Sequence, residues 1–431
     1  SVVIVLQSYS VGIHQFMPML AYTSAGMTAH RMCSSQQRKL PHMINTISIG
    51  NYRSLLHLVI PLSNLNVVTG PNASGKSNLY KSLRLLAETA QGGVVNALAK
   101  EGGLSSTLWA GPENITEKMK SGDVPVQGGP RQASARLRLG FSSDDFGYAI
   151  SLGLPTPSNS AFSLDPEIKR ECIWAGNTFR PASLLVDRDR GLIKIRSDRS
   201  WEVITQHANS FDSLFSQIAD PVRTPEVVSL RDSIRSWRFY DHFRTDVDAP
   251  ARQPQLGTRT PVLDNDGHDL AAALQTIKET GDSQALSDAI SDAFPGAKLN
   301  ILIQNDGRFS IEFSQHGLLR PLSGLELSDG TLRYLLWVAA LLTPRPPPLM
   351  VLNEPETSLH PDLLPALARL IIKASKSTQV WVVSHASRLI AALEGSEDCN
   401  SICLDKELGQ THVVGQGMLD EPMWTWPDRG K

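Results

Sequence analysis

Acidic residues are missing from the first 42 positions of this 431-residue chain. That stretch is Ser-rich, begins with Ser, and has only Arg31, Arg38 and Lys39 as Lys or Arg. An acid-free leader of this kind suits an organelle transit peptide, but so few basic residues support that poorly. The plainer expectation is that Met43 is the natural start and 1–42 is a leader or non-native segment, so fold reasoning begins at Met43. Net charge is also nearly absent: a balance of −2 and a pI near 6.6 exclude a global pull toward nucleic acid and leave only local patches. Cysteine is scarce. Cys33, Cys172, Cys399 and Cys403 lack the spacing and His neighbours of a metal site and read as free thiols in a reducing cytoplasm. No apolar run reaches the ~20 residues of a membrane span, and no heptad repeat signals a coiled coil.

What is present describes a folded chain, 41% hydrophobic and 19% charged, and too long for one small core. INTISI and LLHLVIPL read as strands. ARLRLGF (135–141) and YAISLGL (148–154) read as half-buried antiparallel strands, and ASLLVDRDRGLIKIRS as a hairpin turning at Arg188–Gly191. Residues 111–130, dense in turn formers, predict an exposed excursion. A helix is expected from Pro225 to about Phe239, another in HDLAAALQTIKET, and a hairpin in LNILIQNDGRFSIEFS turning at Asn305-Asp306-Gly307.

The segment GPNASGKSN carries the chemistry. Gly70, Pro71, Asn72, Ala73, Ser74, Gly75, Lys76, Ser77 and Asn78 follow the apolar strand Leu65–Thr69 and precede a stretch with helical spacing at Leu79, Leu83 and Leu86. This is the phosphate-loop pattern: glycines let successive N–H groups point inward at anionic oxygens, Lys76 reaches the β- and γ-phosphates, and Ser77 ligates magnesium. A chance match in a chain of this length comes roughly one or two times in a hundred. The bland alternative is a glycine turn without ligand.

Two later strands end in polar residues suited to the same site. Leu349–Leu352 runs into Asn353-Glu354, whose carboxylate can polarise an attacking water or merely cap the next helix. Val380–Val383 runs into Ser384-His385, where the imidazole is placed for the γ-phosphate or is an ordinary turn residue. In LELSDGTLRYLLWVAALL, Ser328 is a natural N-cap and, with Gly330, makes the helix start an anion site. A second anion site in one chain points to a dimer with ATP at its interface.

The set GPNASGKS, LSDG, VLNEPE, SLHP and VVSH, in that order, resembles the ABC-type AAA family ATPases of the RecF, SMC and OLD group, over residues 44–110 and 320–395. The resemblance implies an α/β P-loop NTPase fold with Lys76 and Ser77 on phosphate and magnesium, Glu354 as catalytic carboxylate and His385 as switch histidine. It implies that Ser328 and Gly330 contact the partner's ATP, that His360 lies in the loop after the Walker B strand, and that Tyr52-Arg53 is a motif near the nucleotide. The usual Walker B Asp is Asn353 here, so the metal ligands would be Ser77 and Asn353, with Glu356 as a further acid. Without a coiled coil or room for an appended nuclease, the expected organisation is an ATPase domain split between 43–110 and 320–431, around an inserted α+β lobe at 111–319. The expected function is that of a stand-alone, cytoplasmic, ATP- and Mg2+-dependent homodimer with no membrane partner, like ATPases found near DNA repair and phage-defence systems, acting on DNA or gating an effector protein. The alternative is a nucleotide-gated scaffold that hydrolyses little. Arg231, Arg235, Arg238 and Arg244, interleaved with Trp237, Phe239 and Tyr240, read either as a DNA-contact face or as a solvated one.

Overall fold

Alternation between β-branched and small residues makes the first hairpin. In the computed structural model, which describes residues 43–112, 115–127, 135–157, 159–198, 200–417 and 419–427, β1 (Ile44–Tyr52) and β2 (Leu55–Pro61) pair antiparallel. Ile47, Ile49, Leu58 and Ile60 point to one buried core with the period of two of a strand, and Ser48 and Val59 between them are buried on the opposite face as well. The strand β3 (Leu65–Thr69) leads into α1 (Lys76–Thr89), then the short helices α2 (Val94–Lys100), α3 (Leu104–Thr107) and α4 (Glu117–Lys120). Next come β4 (Leu137–Ser143), β5 (Phe146–Gly153), β6 (Glu167–Ala175), β7 (Leu184–Asp189), β8 (Leu192–Ser197) and β9 (Ser200–Thr205). They extend the first hairpin into one eight-stranded antiparallel sheet, ordered β2-β1-β4-β5-β6-β7-β8-β9.

After α5 (Leu214–Gln217), α6 (Pro225–Arg235) ends sooner than its sequence suggests. Arg238–Tyr240 is a strand, β10, parallel to a later one. Aromatic residues at 239 and 240 send buried side chains to opposite faces, a pattern a short apolar run shares with a helix until its partner strand is known. The elements β11 (Gln255–Leu256), α7 (Leu270–Thr280), α8 (Ser283–Ala293), β12 (Lys298–Ile303), β13 (Arg308–Ser314) and β14 (Leu322–Ser323) follow. Their strands form a small antiparallel sheet around β13.

The chain then returns to the parallel sheet through α9 (Asp329–Leu341), β15 (Leu349–Asn353), α10 (Leu364–Ala374), β16 (Gln379–Val383), α11 (Ser387–Glu394) and the hairpin β17 (Cys399–Glu407) and β18 (Gln410–Val413). The order is β10-β15-β16-β3-β17-β18, with only the last pair antiparallel. Its central strands are buried on both faces. Leu349, Val351, Trp381 and Val383 pack with α1 and the antiparallel sheet, whereas Met350, Leu352, Val380 and Val382 pack with α7, α9, α10 and α11. This explains why these strands read as unbroken apolar runs.

Residues 111–319, expected as one inserted lobe, are spread over three layers. They supply β4–β9 to the sheet begun by β1 and β2, β10 to the edge of the parallel sheet, and α7 to the core beneath α9. The described residues all lie in the unit Lys39–Lys431, and among them no helix is long and apolar enough to cross a membrane. The leader 1–42, with Cys33, lies outside the described residues, as does part of the 111–130 excursion. Cys172, Cys399 and Cys403 are free thiols.

Candidate functional site

Register alone brings the site together. Asn353 pairs with Val383, and Val383 with Val68, across three neighbouring parallel strands. On the far side of β3, Cys403 pairs with Thr69. The loops after Thr69, Asn353 and Val383 therefore leave the sheet from one carboxyl edge, where open α/β sheets bind ligands.

The first of these loops is shaped as a cradle. Gly70 has φ 138° and Gly75 φ 110°, a region that glycine adopts without strain. A Cβ at Gly70 would strike the Leu404 carbonyl, and one at Gly75 would strike Thr411 Oγ1. Ala73 is held at φ 66°. Ser74 Oγ is buried without a partner among the described residues. Lys76 is buried, and its Nζ donates to the carbonyls of Gly70 at 2.6 Å and Pro71 at 2.8 Å. Burial holds its pKa below the usual lysine range, against the opposing pull of Glu354 and Cys403. An ammonium resting on loop carbonyls at the start of a 14-residue helix suits a phosphate, which offers it a better acceptor. Ser77 is exposed and Asn78 half-buried at the same helix start.

Two residues that sequence reasoning missed shape this loop. Thr411 Oγ1 donates to the Ser74 carbonyl at 2.7 Å and lies 2.8 Å from Ser54 Oγ, which accepts from Asn78 Nδ2 at 2.8 Å. The C-terminal hairpin and the β1–β2 turn thus brace the cradle from behind. Neither residue stands in a motif, so nothing local marked them.

Glu354 follows β15 at φ 49°, a left-handed backbone that costs a side-chain-bearing residue free energy and is found preferentially at functional sites. Its N–H donates to the Val383 carbonyl at 2.8 Å. Its Oε1 lies 3.1 Å from His385 Nε2, and both side chains are partly exposed. Glu356, considered above as an acid for the metal, gives one oxygen to the neighbouring turn: its Oε1 accepts from Ser384 Oγ at 2.7 Å, His385 N at 2.8 Å and Ala386 N at 3.1 Å, while its Oε2 is buried without a partner among the described residues. It fixes the turn that carries His385. His360 is exposed and caps a short 3-10 turn, its Nδ1 accepting from Asp362 N.

Arg53 is placed differently from a free phosphate contact. Its guanidinium donates to Glu101 Oε2 at 2.9 Å, the same oxygen that accepts from Tyr52 O–H at 2.6 Å. Ser328 caps α9, accepting from Thr331 N at 3.2 Å, and Gly330 lies in the first turn of that helix. The basic and aromatic stretch near 231–244 loses its reading as a nucleic-acid face: Trp237, Phe239 and Tyr240 are buried and offer no stacking platform. Its arginines are engaged as well. Arg231 pairs with Asp232 and Arg244 with Asp246, while Arg235 donates to Ala90 O and Arg238 to Trp237 O.

Comparison with known proteins gives the family. The family described as "AAA domain, putative AbiEii toxin, Type IV TA system", AAA_21, matches residues 65–391, well over half of the chain. The chain belongs to the AAA_21 family. Its motifs and parallel sheet make it a P-loop NTPase of the ABC type, the RecF/SMC-like kind expected from the motif order. Among solved structures it is similar to the SMC head bound to the C-winged helix domain of ScpA, with 14% identity, 86% of this chain and 97% of that one covered, and TM-score 0.47. The SMC head domain from Thermotoga maritima gives 14% identity, 86% and 98% coverage and TM-score 0.44. The Smc head with an extended coiled coil bound to the C-terminal domain of ScpA, derived from Pyrococcus furiosus, gives 13%, 86% and 96%, and 0.45. No curated protein matches the chain.

Proposed function

We propose that this AAA_21 protein binds ATP with magnesium at the 70–78 loop, hydrolyses it with Glu354 as the base, and dimerises around it. The observation that carries this reading is the meeting of Glu354 and His385 beside the phosphate cradle, at the ends of register-matched strands. Lys76 exchanges its carbonyl partners for the β- and γ-phosphates. Ser77 and Asn353 are the residues that would hold magnesium, which supplies neutralising charge to the phosphates when bound. Glu354 orients and deprotonates the attacking water, and His385 steadies that carboxylate and donates toward the γ-phosphate. Ser328 and Gly330, at the start of α9, supply a second anion site for the partner's nucleotide. The family's description, naming a putative toxin of a type IV toxin–antitoxin system, supports a setting in defence, where the nucleotide-driven dimer gates an effector or acts on DNA in the cytoplasm. The test is MgATP turnover of the purified chain, with light scattering to follow dimerisation. Turnover and ATP-dependent dimerisation, both lost in Lys76→Ala, are expected.

A second reading, a nucleotide-gated scaffold, rests on Asn353: an amide where the family pattern has an acid brings no charge to the metal. Dimerisation without turnover at any magnesium concentration would favour it.

A further inference from the structure

A buried arginine outside every motif holds the start of α9 in place. Arg252 is 7% exposed and lies far from that helix in sequence, in the segment PARQP. Its Nη1 donates to the carbonyls of Leu327 at 2.6 Å and Gly324 at 3.1 Å. Its Nη2 donates to Asp329 Oδ1 at 2.6 Å and to the Thr245 carbonyl at 2.8 Å. Its Nε is shared between the carbonyls of Thr245 and Asp246, each at 3.0 Å. The planar fork therefore joins two loops, 245–246 and 324–329. The backbones touch as well, since a Cβ on Gly324 would press on the Arg252 carbonyl oxygen.

The other end of this clamp reaches the catalytic edge. Arg333, buried one turn into α9, donates to the Phe243 carbonyl at 2.7 Å and to the Thr357 carbonyl at 3.0 Å. Trp337, one turn further, donates its indole N–H to the Pro355 carbonyl at 3.0 Å. Pro355 and Thr357 flank Glu356, which holds the His385 turn. The loop 243–246, the start of α9 and the segment after Glu354 are thus tied by charged or aromatic donors to backbone carbonyls. Such bonds fix the backbone more firmly than apolar packing does, because a guanidinium donates in a set plane.

We propose that Arg252 is the positioning residue of the 324–330 loop: it sets Ser328 and Gly330 at the angle needed to receive the partner copy's nucleotide, and through α9 it couples that surface to the Glu354 loop. This rests on the reading of Ser328–Gly330 as the partner-facing anion site. Arg252 touches no nucleotide itself. Its effect is therefore confined to dimerisation and to the turnover that depends on it, while the 70–78 cradle keeps its affinity for ATP.

The test compares wild type, Arg252→Lys and Asp329→Asn for melting temperature, ATP affinity of the monomer, ATP-driven dimerisation and turnover. Lysine keeps the charge but offers a point donor in place of a fork, and Asp329→Asn leaves Arg252 and its carbonyl bonds intact if the lysine variant does not fold. The expected result is a dimer weakened roughly tenfold or more in Arg252→Lys and less in Asp329→Asn, as loss of charge-assisted bonds implies. The monomer's affinity for ATP stays unchanged, and turnover at fixed protein concentration falls with dimer content. Wild-type dimerisation that neither variant alters overturns the role of Arg252 alone. A parallel loss of monomer ATP affinity also overturns it, by making Arg252 a general fold support. A wild type that never dimerises with ATP overturns the partner-facing reading, and this proposal with it.

Discussion

His385 Nε2 stands 3.1 Å from Glu354 Oε1, joining the ends of two strands that the chain reaches 31 residues apart. The contact assigns different consequences to the two residues. Glu354→Gln keeps the size of the side chain and an acceptor for the imidazole but removes the base. Turnover should fall by about 10²-fold or more, the range of general-base catalysis, while ATP binding persists and the ATP-bound dimer accumulates. His385→Ala should lower turnover by less, since the carboxylate remains. Steady-state rates alongside nucleotide titration decide this, and a Glu354→Gln protein as fast as wild type removes Glu354 from the chemistry.

The resting partners of Lys76 make ATP affinity dependent on pH in a set direction. Burial lowers its pKa in the free protein, and bound phosphate raises it, so binding takes up a proton wherever the free lysine is already neutral. Affinity should be level at neutral pH and decline on the alkaline side, beginning below the usual lysine range. Lys76→Ala should bind ATP weakly at every pH and show no such decline. Fluorescent-nucleotide titrations from neutral to alkaline pH measure it; a wild-type affinity that rises with pH contradicts the assignment.

Thr411 acts on the cradle from behind. Thr411→Val keeps the shape and deletes the hydroxyl between Ser54 and the Ser74 carbonyl, leaving a buried acceptor unpaired at a cost of about 1–3 kcal/mol. Thermal melting should show that loss. ATP affinity should drop by up to roughly tenfold, as the loop no longer starts in its binding shape. Unchanged affinity with a lowered melting temperature would confine Thr411 to stability.

Ser328→Arg separates cap from interface. The Ser328 cap is worth about 1 kcal/mol, so Ser328→Ala should lower stability slightly and weaken ATP-driven dimerisation only in part, because the backbone N–H groups at the start of α9 and Gly330 remain. Arginine fills the partner-facing anion site, and the monomer should still bind ATP but neither dimerise nor hydrolyse it. Light scattering with ATP reads the difference. Equal dimerisation in the arginine variant would reduce LSDG to a helix cap.

How much of this was legible depends on distance along the chain. The phosphate loop, LSDG, NEPE and VVSH are local patterns, and the strands before them are apolar runs bounded by turn residues, so both motif and element could be read directly. Thr411 reaches Ser74 across 337 positions and Arg252 reaches Asp329 across 77. Nothing near either residue announces a partner that only tertiary folding supplies. The stretch 237–240 failed differently. Arginines and aromatics in alternation fit a nucleic-acid face or a buried strand, and only the pairing of β10 with β15 decided that the aromatics belong to the core.

The remaining prediction concerns Asn353 and Glu356, which were expected beside Ser77 around magnesium. Asn353 occupies the last position of β15, at the level of the cradle, yet an amide contributes only an oxygen dipole. Glu356 turns its Oε1 to the His385 turn. Asn353→Asp should therefore add charge where the metal is needed and lower the magnesium concentration for half-maximal turnover, with little change in ATP affinity in the absence of metal. Glu356→Gln leaves an oxygen able to accept the three donors of the 384–386 turn, so it should keep the wild-type magnesium requirement and a large part of the turnover. Glu356→Leu removes the acceptor; it should reduce turnover by freeing His385 and leave the magnesium midpoint where it was. A magnesium titration of ATPase rate across the four proteins distinguishes these cases. A midpoint raised in Glu356→Gln would return Glu356 to the metal and take it away from the turn.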